Sequence, residues 1–170
     1  MAIAVSLKEY LDSRGIAYDV ITHERATSML EAAQCAGISG DCVVKTVVLE
    51  DHDGYMLAAV PASHHIRMGA LRRALNRPAG LATEGEFAEL FADCELGAVP
   101  PVGDAYGLEV IIDDSLTDRP DLYFEGGDHC TLVHVRRDAF ARLMQSARHG
   151  RITGASMTPA DELDATRDFG

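Results

Sequence analysis

Residues 42–50 read Cys-Val-Val-Lys-Thr-Val-Val-Leu-Glu, and residues 55–60 read Tyr-Met-Leu-Ala-Ala-Val, with Asp51-His52-Asp53-Gly54 between them. Two β-rich runs around an Asp/Gly turn signal predict a β-hairpin. Pro61 ends it, and Ile66–Leu75 follows with helical spacing that sets Met68, Leu71 and Leu75 on one face. Upstream, Ser6 with Glu9 reads as a capping box ahead of a first helix that stops near Gly15. Ser28 with Glu31 opens a second helix closed by Gly37, and Thr83 with Glu86 opens another. Tyr18–Thr22, Leu108–Ile112, Asp121–Glu125 and Thr131–Val135 read as further strands. Asp138–Arg148 reads as a closing helix with Phe140, Leu143 and Met144 inward. Strands and helices interleave irregularly, which points to an α+β (mixed α/β) fold: a mixed sheet with helices packed on it.

A chain of 170 residues with 47% hydrophobic content suits one domain, expected over residues 1–150. From Arg151 the sequence is polar and unpatterned, so 151–170 is expected to be a dispensable tail. No apolar run approaches the roughly 20 residues that span a bilayer, and Lys8 and Glu9 interrupt any secretory core, so no membrane association and a cytoplasmic location are expected. Cys35, Cys42, Cys94 and Cys130 form no CxxC pair and are read as free thiols. The seven histidines lack the HExxH or HxxxH spacing of a helical metal site. His129 and His134, five apart in an expected strand, would face opposite ways, so no metal or other cofactor is expected.

A formal charge of −12 disfavours long tracking contacts with a polyanion, so any RNA contact must be local. The cations crowd two segments, Arg67 to Arg77 and Arg136 to Arg151; either can be an ordinary solvated helix face.

Three features can carry chemistry. Period two in the first strand of the hairpin places Lys45 on the face of Val43, Val47 and Leu49, where it either snorkels to water or meets an anionic ligand. Isolated burial of an ammonium costs several kcal/mol, about what a phosphate or carboxylate partner would offset. The segment Gly97-Ala98-Val99-Pro100-Pro101-Val102-Gly103 lies in a long stretch, 92–107, without helical or strand period. Its glycines allow close approach and its prolines fix φ, so the loop can aim main-chain groups at a substrate, or simply turn. Tyr123–His129 runs a strand into a Gly126-Gly127 turn with His129 at the tip, either a substrate contact or a surface histidine. No GxSxG elbow supports a serine nucleophile, and nothing in the sequence lowers the pKa of Cys94.

Val43–Leu49 around Lys45, GxxxP at Gly97–Pro101 and Tyr-Phe-Glu-Gly-Gly at 123–127 occur in an ordered set. From about Leu7 to Met144 the chain resembles the YbaK/prolyl-tRNA synthetase-associated (INS-like) editing-domain family. The resemblance implies a partly barrel-like mixed sheet ringed by helices, and a cleft for the aminoacylated 3′ end of tRNA. It also implies that Lys45 contacts the terminal nucleotide and is needed for deacylation, and that the Gly97–Pro101 loop shapes the amino-acid pocket through its backbone. The substrate's ribose hydroxyl and an oriented water would do much of the hydrolysis. Lys45 and Gly97 are therefore the expected catalytic residues, with Ala98, Val99, Pro100, Pro101, Gly127 and His129 binding substrate. The expected activity is hydrolysis of a mischarged aminoacyl-tRNA ester. A pocket lined by Ala98 and Val99 suits a small amino acid. An aminoacyl-tRNA synthetase is a candidate partner, the chain acting as a monomer or homodimer. The alternative reading is a noncatalytic module using the same cleft for a nucleotide or small anion.

Overall fold

A computed structural model describes residues 3–154. The elements in order are α1 (Val5–Ser13), β1 (Asp19–Thr22), α2 (Met29–Ala36), β2 (Val43–Asp51), β3 (Gly54–Pro61), β4 (His65–Ile66), α3 (Met68–Leu75), β5 (Gly80–Leu81), α4 (Glu84–Phe87), β6 (Val110–Asp113), β7 (Asp121–Glu125), β8 (Thr131–Arg136), α5 (Arg137–Leu143), β9 (Arg148–Gly150) and β10 (Thr153–Gly154). The expected α+β class holds: a mixed sheet runs β1-β8-β7-β2-β3-β6-β9, with β5 added to β2 and a separate ribbon of β10 and β4.

The hairpin forms with Lys45 opposite Val60 and Asp51 opposite Gly54. Its alternation divides the core. Val44, Val48, Leu57 and Ala59 face the largest apolar cluster, with Leu7, Leu11, Val99, Val102, Ile112, Phe124 and Phe140. Leu49, Met56, Ala58 and Val60 face the other way, under Met68, Leu71 and Leu75 of α3. Val43 meets Ala33 of α2 and Ala62.

The caps agree in part. Ser28 Oγ accepts from Glu31 N and Gly37 closes α2 in the left-handed region, as expected; the Thr83–Glu86 capping box is also present. Ser6 is not a cap: α1 begins at Val5 after Ala4 with no side-chain cap, and the Ser6 N–H donates to Asp93 Oδ2 at 2.8 Å. A tertiary acceptor replaces the local one.

The closing helix ends at Leu143 rather than near Arg148, because Arg148–Gly150 pairs in parallel with Ile111–Asp113 along the open edge of β6. The chain stays packed beyond residue 150: Ile152 is wholly buried and Thr153–Gly154 pairs with His65–Ile66. The remainder of the expected tail, 155–170, lies outside the described residues. His129 is not in a strand; it sits at φ 62° in the turn before β8, so strand alternation does not orient it.

Candidate functional site

The site is built where β2 loses a neighbour. On the side away from β3, β2 pairs in parallel with β7 only at Val43 and Val44, and with β5 only at Leu49 and Glu50. Between them lie Lys45–Val48, where Val48 O accepts from Ala82 N at 3.0 Å. At Lys45–Val47 the strand is thus unpaired on one side. Strand ends that diverge from a parallel pair are common ligand sites because main-chain groups and side chains converge there.

Lys45 projects from the face that carries Val43 and Leu49, both wholly buried. Its ammonium donates to the His64 carbonyl at 2.8 Å. No carboxylate lies within ion-pair distance of it among the described residues. Burial holds its pKa below the usual 10.5, the expected consequence of removing a charge from water without an opposite charge beside it. Next to it, Thr46 Oγ1 is buried with no hydrogen-bond partner in the described structure.

The loop after residue 92 is ordered by its own apolar side chains. Ala98, Val99 and Val102 are buried, as are Pro100 and Pro101, while Gly97 is exposed at φ 81°. A side chain at Gly97 would be strained by that φ, and its Cβ would lie 2.8 Å from Glu84 Oε1. The Gly127 turn docks on the lead-in to this loop. Glu95 N donates to Gly127 O at 2.8 Å, and His129 Nε2 lies 2.7 Å from Leu96 O. A carbonyl can only accept, so Nε2 carries the proton there.

Gly127 and His129 are therefore brought to Glu95 and Leu96, directly before the Gly97–Pro101 loop. Lys45 stands apart from that group: Val99 and Val102 pack with Val44 and Val48, on the sheet face opposite the one from which Lys45 projects. A cavity of about 160 Å³ runs along Phe87, Phe91, Leu96, Gly97 and Val99. An open one of about 500 Å³ lies between Ala4, Arg25, Cys94, Gly127 and Cys130. Neither is lined by Lys45.

Glu125, to which the sequence reading gave no role, organises the turn. It is 4% exposed, and its Oε2 accepts from Gly127 N at 2.9 Å and Asp128 N at 3.3 Å. Burial raises its pKa above 4.5, opposed by those N–H groups and by His129. The available signal was a carboxylate ending an apolar strand directly before Gly-Gly. Cys94 lines both cavities, but burial pushes its thiol up to about 12 and its Sγ lies 3.4 Å from the Tyr106 hydroxyl. A thiol that stays protonated at neutral pH is a poor nucleophile. Cys94→Ala should leave any ester hydrolysis unchanged, as measured by steady-state kcat/KM; loss of turnover would return Cys94 to the chemistry.

No helix among the described residues is long and apolar enough to cross a membrane. Comparison with curated proteins returned no match. Among solved structures, the chain is similar to a candidate trans-editing enzyme for prolyl tRNA synthetase, with 26% identity, a TM-score of 0.76, and coverage of 88% of this chain and 95% of that one. It is also similar to a hypothetical protein, at 22% identity and a TM-score of 0.76 over 88% and 99% of the two chains. A scaffold protein from computational epitope grafting matches at 22% identity and a TM-score of 0.74, over 88% and 95%. The two matches at 22% bear on the fold alone. The sequence profile of the aminoacyl-tRNA editing domain matches residues 23–143, which include Lys45, the Gly97–Pro101 loop and the Gly127 turn. That match spans more than half of the chain, and the chain belongs to the aminoacyl-tRNA editing domain family.

Proposed function

We propose that this protein is a trans-editing deacylase that hydrolyses the ester between a small amino acid and the 3′ end of a mischarged tRNA. The observation that carries the reading is Lys45: a half-buried ammonium with one neutral acceptor, at an opening in the sheet, in a chain of the aminoacyl-tRNA editing family. A cation held in that state gains most from an anion that arrives and leaves, and a phosphate of the terminal nucleotide fits that need. The Gly97–Pro101 loop, on the other face of the sheet, would shape the amino-acid end of the site through its backbone, with Val99 lining the cavity of about 160 Å³ there. Gly127 and His129 would act by holding the lead-in to that loop. Fixed main-chain donors of this kind are worth roughly 10²- to 10³-fold in rate. A net charge of −12 suits a substrate engaged only at its end, where a few local cations suffice.

The test is a panel of mischarged tRNAs with wild type and Gly97→Val. Wild type should release one or a few small amino acids. Gly97→Val, strained at φ 81°, should lose about 10²-fold in kcat/KM with its fold intact by circular dichroism. Full turnover in Gly97→Val would remove the loop from the mechanism. Saturable binding of an aminoacyl-adenosine analogue, with no hydrolysis of any charged tRNA, would favour the noncatalytic module.

A further inference from the structure

The profile match ends at residue 143, yet the packed structure continues to Gly154 and returns to the lysine. After β9 the chain is anchored by Ile152, wholly buried among Met68, Leu71 and Ile111. The Ile152 N–H donates to Asp113 Oδ1 at 2.9 Å, and Asp113 is itself buried. The Ile152 carbonyl accepts from Arg67 N at 2.8 Å. That anchor sets Thr153 and Gly154 beside Ile66 and His65. It brings Thr153 Oγ1 to 2.9 Å from His64 Nδ1, and the His64 carbonyl is the acceptor of the Lys45 ammonium.

At its N-terminal end the segment that carries this carbonyl is held by buried Ala62 and by Ser63 Oγ, which donates to Asp41 Oδ1, but beyond Ser63 its hydrogen bonds are local or go to residues 151–154. β4 is two residues long, the His64 N–H makes only the local bond to Pro61 O at 3.0 Å, and the Ser63 N–H reaches Gly40 O at a long 3.4 Å. A two-residue strand needs a partner to hold a defined position.

We propose that residues 151–154 form a strap that positions Lys45 for substrate: through Ile152 and Thr153 it fixes the His64–Ile66 segment, whose carbonyl keeps the ammonium docked at the opening in the sheet. Thr153 and His64 are positioning residues, since they act through Lys45 rather than on substrate. The role of Lys45 in this proposal rests on the deacylase reading above; the mechanical link from strap to lysine does not.

Lys8 and Lys45 are the only lysines in the sequence, so a full-length Lys8→Arg protein carrying ¹³Cε-lysine reports Lys45 alone by NMR. In that background, Thr153→Val removes the hydroxyl at nearly constant shape, and Thr153→Ser restores it. The Lys45 titration should move upward in Thr153→Val, toward the ordinary 10.5, as the undocked ammonium regains water. Deacylation should fall on the order of 10- to 100-fold in kcat/KM, as for other displaced groups. Thr153→Ser should restore both. An unshifted Lys45 titration in a folded Thr153→Val protein would overturn the proposal, whatever happens to activity. A wild-type protein that hydrolyses no aminoacyl-tRNA would overturn the deacylase reading, and the titration would still decide the strap.

Discussion

Lys45→Met should make the protein more stable and abolish the proposed deacylation. The ammonium is half-buried, has one neutral acceptor and lies on the same face as Val43 and Leu49. Burial alone lowers its pKa, so the folded state disfavours the charge. Between that lowered value and 10.5 the unfolded chain holds a proton that the folded chain has released, so stability rises with pH across the window. Below the lowered pKa the penalty is fully present. Methionine keeps the stem and removes the charge, which should stabilise by about 1 kcal/mol, the low end for replacing buried charge because this one is partly solvated. In a chain of this size that is a rise in Tm of about 2–4 °C. Deacylation should fall by at least about 10²-fold, the scale for losing one preorganised electrostatic contact. Affinity for a nonhydrolysable aminoacyl-adenosine phosphate analogue should weaken as pH rises through the lowered lysine pKa, below 10.5. A lower Tm in Lys45→Met, or full activity, would show that the lysine is structural.

At Glu125, alanine and glutamine should have opposite effects. Glu125→Ala leaves the Gly127 and Asp128 N–H groups without their acceptor. A buried donor left unpaired costs about 1–3 kcal/mol. With the 3.3 Å bond the weaker of the two, a total loss of about 2 kcal/mol is expected by urea denaturation. The damage should spread to the loop, since Gly127 O and His129 hold Glu95 and Leu96. Glu125→Gln keeps an acceptor and removes the charge. The folded pKa of Glu125 is raised by burial, so its stabilising contribution is fully present below about 4.5 and is lost as pH rises through the raised value. Glu125→Gln should therefore equal or exceed wild-type stability at neutral pH and flatten the pH dependence in that window. A glutamine variant as unstable as the alanine variant would mean that the charged carboxylate, not merely an acceptor, holds the turn.

Much of the site's vocabulary was legible from local pattern, but its grammar was not. The position of Lys45 on an apolar face follows from period two, and the stiffness of Gly97–Pro101 follows from its residue types. That Gly127 and His129 close on the lead-in to this loop depends on residues some thirty positions apart, and no spacing encodes it. The sheet opening beside Lys45 arises because β7 leaves β2 after Val44 and β5 arrives only at Leu49. Glu125 reads in sequence as one more strand-end carboxylate; burial and two main-chain donors make it the centre of the turn.

What the sequence alone determined are features set within a few residues: the β2–β3 hairpin, the Met68–Leu71–Leu75 face of α3, the Ser28 and Thr83 caps and the apolar face that bears Lys45. Backbone sterics and side-chain periodicity act at that range. Tertiary structure decided the end of α5, the use of Ser6 and the fate of residues 151–154. In each case a distant partner offered more than local continuation did: the edge of β6 drew Arg148–Gly150 into the sheet, Asp93 took the Ser6 N–H, and the pocket under α3 buried Ile152. Pairing and burial of that kind depend on surfaces that exist only once the rest of the chain has folded.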